Sequence, residues 1–112
     1  MGPFRLVEKT LPAGYFEVEV EGELDLAVAD QLDEVLERAA GEHELIVISL
    51  ERCEFIDSTG IAVIVKAHTQ LAADGRRVVV HGANHQVRRV LSVTGLTENG
   101  LVFASLDQAL QD

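Results

Sequence analysis

A chain of 112 residues has room for one domain over 1–112, which buries roughly 65% of its unfolded surface and folds alone. Its 47% hydrophobic and 25% charged residues are those of a globular protein rather than a disordered one. The formal net charge of −10 repels phosphate backbones and anionic headgroups, so neither direct nucleic-acid binding nor membrane binding is expected.

The acidic residues crowd the span from Glu17 to Glu44, where Arg38 alone opposes them. Solubility is the plainest reading of that charge, and an acidic face also steers a basic protein partner. Cys53 is the single cysteine, which rules out an internal disulfide framework or a cysteine-built metal cluster. The N-terminus carries no basic patch followed by an apolar core and cleavage site, and no apolar run reaches membrane-spanning length. The expected location is therefore the cytoplasm.

In chain order, "FRLVE" pairs as a hairpin across the turn "LPAG" with "YFEVEVEGEL", a strictly alternating strand. Phe16, Val18 and Val20 face one way and Glu17, Glu19 and Glu21 the other, so the second face is expected to be wet. From Leu26 to Ala40 the period becomes helical. Leu26, Ala29, Leu32, Val35, Leu36 and Ala39 fall on the inner face, with Asp25 as N-cap and Gly41 as stop. "LIVISL" (45–50) lacks alternation, as in a strand covered on both faces. A second helix follows and ends near Asp74-Gly75, then "RRVVVHG" supplies another buried strand. "NHQVRRVLSVTG" reads as a third helix capped by Asn84, with Val87, Val90 and Leu91 inward and Gly95 as stop. "LVFA" is a last short strand, and Ser105 with Gln108 in capping-box spacing opens a fourth helix. The order β-β-α-β-α-β-α-β-α predicts an α/β fold: a mixed, mostly parallel sheet with an N-terminal hairpin, packed with about four α-helices.

The junction "FIDSTGIAVIVKAH" (55–68) holds the candidate site. A helical wheel from Ser58 turns Ile61, Ile64, Val65, His68, Leu71 and Ala72 inward, and Thr59, Ala62, Val63, Lys66 and Gln70 outward. Val63 beside Ala62 makes a small apolar patch near two hydroxyls, which suits a contact surface. Asp57 or Ser58 caps the helix. Gly60 needs a separate reason, because glycine in a helix costs about 0.5–1 kcal/mol relative to alanine. Close approach of another backbone, or an unusual dihedral, would supply one. The first turn offers free N–H groups and the positive helix end, where a phosphate on Ser58 would be tolerated.

On these residues the chain resembles the STAS family, and within it the bacterial anti-sigma factor antagonists. "EGELDLAVADQL" is similar to that family's strand-to-helix motif, "LERCEFIDSTGIAVI" to its phosphorylation loop, and "VHGANHQVRRVLSVTGL" to its third helix and following turn. Three such motifs in order are specific where one alone is weak. The Leu-Gly pair common after the tetrapeptide is Ile61-Ala62 here, a departure that bears on partner preference. The resemblance implies that Ser58 is a phosphoacceptor in a loop completed by Asp57, Thr59 and Gly60, with Asp25, Ala62, Val63 and Lys66 contacting the partner. It implies an anti-sigma factor that is also a serine kinase of histidine-kinase-like fold, and a metal-dependent serine phosphatase that resets the switch. No cofactor is implied. The competing implication is a STAS subunit docked on a lipid-transport ABC ATPase, with Thr59 and Lys66 marking the docking face.

Catalysis by the chain itself is not expected. No Gly-x-Ser-x-Gly elbow, Gly-Lys-(Ser/Thr) phosphate loop or histidine placed to activate Ser58 is present. His81 and His85 are four apart, but Gly82-Ala83 interrupts the helix that would align them on a metal. His68 reads as a core-border residue and Cys53 as a packed one.

Overall fold

The computed structural model describes residues 3–93 and 102–103. Strand β1 (Arg5–Thr10) turns through a 3-10 segment at Pro12–Gly14 into β2 (Phe16–Leu24), its antiparallel partner. Helix α1 (Ala29–Ala40) then leads to β3 (Leu45–Ile56), α2 (Ser58–Ala73) to β4 (Arg77–His81), and α3 (His85–Val93) to β5 (Val102–Phe103). The sheet runs β1-β2-β3-β4-β5, with β2 through β5 parallel. This is the mixed, mostly parallel sheet with an initial hairpin that the pattern of periods predicts. Among the described residues there are three α-helices; the fourth, expected from Ser105, lies outside them.

Strand parity explains which side of the sheet the helices occupy. Phe16, Val18 and Val20 of β2, Ile46, Ile48 and Leu50 of β3, and Val78 and Val80 of β4 share one core with Leu32, Val35 and Leu36 of α1. Ile61, Ile64, Ala67 and Leu71 of α2, and Val87 and Leu91 of α3, close the same core. On the other face β3 and β4 are covered as expected, but β2 is not wet at Glu17. Leu45, Val47 and Val79 cluster there with Leu11 and Tyr15, and Glu17 is only 5% exposed. Its Oε1 lies 3.3 Å from Nε2 of the buried His81, and Lys9 approaches its other oxygen at 4.0 Å. Strict alternation fixes which face a side chain takes, but not whether neighbouring chains cover it.

Helix α1 begins three residues later than the periodicity suggests. Asp25 caps a preceding turn instead: its Oδ1 accepts from Ala27 N–H at 3.1 Å, and its carbonyl accepts from Val28 and Ala29. Leu26, read as inward, is 75% exposed as a result. Helix α3 departs in one position as well. Val90 is exposed while Val87 and Leu91 are buried, and Asn84 caps the helix through Oδ1 and Val87 N–H at 2.8 Å.

Candidate phosphorylation loop and docking face

The parallel strands β2 and β3 end together, and their carboxyl ends carry the candidate site. Leu24 pairs with Ile56 at the end of the ladder, and Asp57 N–H donates to the Leu24 carbonyl at 3.1 Å. Asp57 is the N-cap of α2, extended at φ −108° and ψ −175°. Its Oδ1 accepts from Thr59 N–H at 2.9 Å, Gly60 N–H at 3.1 Å and the Thr59 hydroxyl at 2.5 Å. Its Oδ2 accepts from Leu26 N–H at 3.2 Å, across to the β2–α1 turn. One carboxylate thus holds two junctions together. The Thr59 hydroxyl, followed by the backbone amides, holds the Asp57 carboxyl below the usual carboxylate range.

Gly60 has a steric reason. A Cβ there would meet the Leu24 side chain at 2.7 Å, the Leu24 carbonyl at 2.9 Å and Ile56 Cγ1 at 3.0 Å. The first turn of α2 therefore presses directly on the ends of β2 and β3, which only glycine permits. Close approach, not an unusual dihedral, is the answer to the question that the sequence raises.

The two neighbouring hydroxyls differ. Thr59 is half-buried and its Oγ1 is spent on Asp57. Ser58 is exposed at the first helical position, and among the described residues no side-chain hydrogen bond engages its hydroxyl. The amides expected to be free for an anion are not free: Asp57 takes those of Thr59 and Gly60. A phosphoryl group on Ser58 would project outward, beside a carboxylate.

The expected contact residues are only partly assembled. Ala62 is exposed one turn beyond Ser58, so the two share a face. Val63, expected to be wet, is half-buried and packs on the core. The exposed stripe of α2 runs Ser58-Ala62-Lys66 instead, and Ala67 replaces Val65, His68 and Ala72 as a fully inward residue. Lys66 is committed to α1, with Nζ at 3.0 Å from Asp33 and 2.8 Å from Glu37. Glu37 and then Asp33 hold its ammonium above the ordinary lysine value. Asp25 shapes the turn that presents Leu26.

Sequence reasoning missed two residues here. Leu26 is exposed beside the loop, and Phe55, just before it, is 48% exposed. Phe55 borders a groove of about 320 Å³ that Ile56, Gln86, Val87, Arg89 and Val90 also line. Only the late start of α1 reveals Leu26; a missing capping residue at Val28 was no signal against a longer helix. Cys53 is buried as expected, its thiol pushed up by burial and donating to the Phe55 carbonyl at 3.3 Å.

Comparison with known proteins agrees with this geometry. The STAS domain family model matches residues 7–109. The anti-sigma-B factor antagonist of Staphylococcus aureus (strain NCTC 8325 / PS 47) is 31% identical over 94 residues, covering 82% of this chain and 86% of that protein. The anti-sigma F factor antagonist of Paenibacillus polymyxa is 36% identical over 87 residues, covering 74% of this chain and 73% of that protein. A crystal structure of an anti-sigma factor antagonist from Mycobacterium paratuberculosis has the same fold, with TM-score 0.87 over 97% of this chain and 92% of that one at 24% identity. With the family's pattern spanning nearly the whole sequence and the fold matching in three dimensions, the chain belongs to the STAS domain family.

Proposed function

We propose that this chain is an anti-sigma factor antagonist that acts as a phosphorylation-controlled binding switch, with residues 1–112 working as one STAS domain in the cytoplasm. Unphosphorylated, it binds an anti-sigma factor that is also a serine kinase, and the sigma factor is freed. Phosphorylation at Ser58 ends that binding, and a metal-dependent serine phosphatase restores it. The chain is then a kinase substrate and a binding module, not an enzyme. Asp57, Thr59 and Gly60 shape the loop, and Asp25 and Ala62 border the contact. Val63 supports that face from behind, through the core, and Lys66 lies on it, paired with Asp33 and Glu37 of α1.

The observation that carries this reading is the contrast between Ser58, exposed with its hydroxyl unengaged, and Thr59, whose hydroxyl is held by Asp57 at 2.5 Å. A kinase reaches the first without breaking a hydrogen bond and must break one for the second. Phosphorylation adds about −1.5 to −2 charges. On an interface, that charge loses its water without a partner, at a cost of several kcal/mol. A penalty of about 2.7 kcal/mol already weakens binding about a hundredfold. Lys66, paired with Asp33 and Glu37, suits either docking face, and the complete Asp-Ser-Thr-Gly tetrapeptide favours the phosphoswitch over docking on a transport ATPase.

The test is to incubate the protein with ATP and each purified anti-sigma factor kinase of its host, then map phosphate by mass spectrometry. Phosphate on Ser58 is expected, with binding retained by Ser58→Ala and weakened by Ser58→Asp. Phosphate confined to Thr59, or a phosphoprotein that binds as tightly as the unmodified one, overturns the reading.

A further inference from the structure

Leu26 is the most exposed large hydrophobic residue among the described residues, at 75%. An isolated surface leucine needs no explanation on its own. This one is held in place by a hydrogen-bonded frame. Its own N–H donates to Asp57 Oδ2 at 3.2 Å, the next amide donates to Asp25 Oδ1 at 3.1 Å, and Val28 N–H donates to the Asp25 carbonyl at 3.1 Å. The frame satisfies the backbone of the turn while leaving the side chain in water. The same Asp57 that caps the helix of Ser58 therefore fixes the position of Leu26.

A side chain on a backbone already held in place leaves only its own rotamers to be ordered on binding. The charged groups of the turn itself have one sign. Asp25 and Asp57 hold the turn itself, and Asp30 follows in the first turn of α1. The cations of this part of the chain are occupied elsewhere: Lys66 pairs with Asp33 and Glu37, Arg38 with Glu8, and Arg52 lies nearest Glu19. The complementary surface is an apolar socket rimmed by arginine or lysine.

We infer that Leu26 is the specificity-determining anchor of the docking face, inserting into a basic-rimmed apolar socket on the anti-sigma factor, with Asp57 as its positioning residue. This rests on the proposed function and adds to it an apolar arm separate from the phosphorylated hydroxyl.

The experiment titrates the host's purified anti-sigma factor kinases, one at a time, into wild-type protein, Leu26→Asp, Leu26→Met and Ser58→Asp by calorimetry, with melting curves for each variant. The expected result is that a kinase that binds wild type loses at least tenfold in affinity for Leu26→Asp and keeps most of it for Leu26→Met, with melting unchanged in both. Added salt should weaken the wild-type complex, because the rim is electrostatic. Leu26→Asp binding as wild type while Ser58→Asp does not overturns the anchor and leaves the switch standing. Affinity indifferent to salt overturns the basic rim. Failure of every kinase to bind wild type overturns the proposed function and this inference with it.

Discussion

The β2–α1 and β3–α2 junctions lie side by side and use the same residue in different ways. In each, an aspartate directly follows the last strand residue: Asp25 after Leu24, Asp57 after Ile56. Asp57 caps its helix at once, and Gly60 lets that helix press against Leu24 and Ile56. Asp25 caps only a turn, the helix starts at Ala29, and the residues between stay near the surface. One junction is clamped into the core and the other is held open from it. The open one presents Leu26 and the clamped one presents Ser58, so the combination offers an apolar contact and a modifiable hydroxyl at a fixed spacing.

The clamp should be the most sensitive part of the molecule. Ile64, two turns into α2, is fully buried. A glutamate there buries an unpaired carboxylate at a cost of several kcal/mol, against a total stability of about 5–15 kcal/mol for a typical domain. Ile64→Glu is expected to be unfolded by circular dichroism at 25 °C. Val63→Glu, at a half-buried neighbour, should fold with a loss of about 1 kcal/mol. A folded Ile64→Glu would mean that α2 does not press on the sheet.

How much of this was legible in the sequence follows the same division. The buried strand β3, the inner residues of α1 beyond Ala29 and the cap at Asn84 all follow from local periodicity and capping chemistry. Leu26 did not, because an Asp-Leu-Ala-Val run satisfies both a helical first turn and a capped turn that precedes one. The choice between them is made by Asp57, 31 positions from Leu26 in the chain. Likewise Glu17 looked wet because its burial depends on His81 and Lys9, on other strands. At the site, the tetrapeptide was readable as a loop, while the difference between Ser58 and Thr59 needed the orientation of the Asp57 carboxylate.

A second contrast sharpens the clamp. Gly60→Ala places a Cβ within 3.0 Å of three atoms, two of them on Leu24, and overpacking of this kind costs about 1–3 kcal/mol. Gly41→Ala, after α1, meets nothing nearer than 3.7 Å at an ordinary φ of −78°, and should stabilise by about 0.4–1 kcal/mol. Urea titrations of the two variants should move in opposite directions. Equal shifts would remove the steric account of Gly60.

The two aspartates should separate less widely. Asp57→Ala removes the cap and every partner of that carboxylate, for an expected loss of about 1–2 kcal/mol. Asp25→Ala removes a single amide partner on an open turn, for about 0.5 kcal/mol. Thermal melts rank them. A larger loss at Asp25 would place the frame of the two junctions on the wrong carboxylate.

The smallest effect is read against pH. Because its hydrogen bonds hold the Asp57 carboxyl below the usual range, the folded state binds the proton more weakly than the unfolded chain does. The stabilisation from ionised Asp57 is therefore complete above the ordinary carboxylate value of about 3.9 and is lost as pH falls through the lower folded value. Asn at this position keeps an acceptor but cannot ionise, so it removes that dependence while preserving the cap. The melting-temperature gap between wild type and Asp57→Asn should stay constant from about pH 7 to pH 5 and narrow below about pH 4. Other carboxylates titrate in the same range and destabilise both proteins alike, which is why the gap and not the absolute melting point carries the information. A gap that persists unchanged to the lowest pH at which both proteins fold would mean that the charge on Asp57 contributes nothing, leaving its hydrogen-bond geometry as the whole of its role.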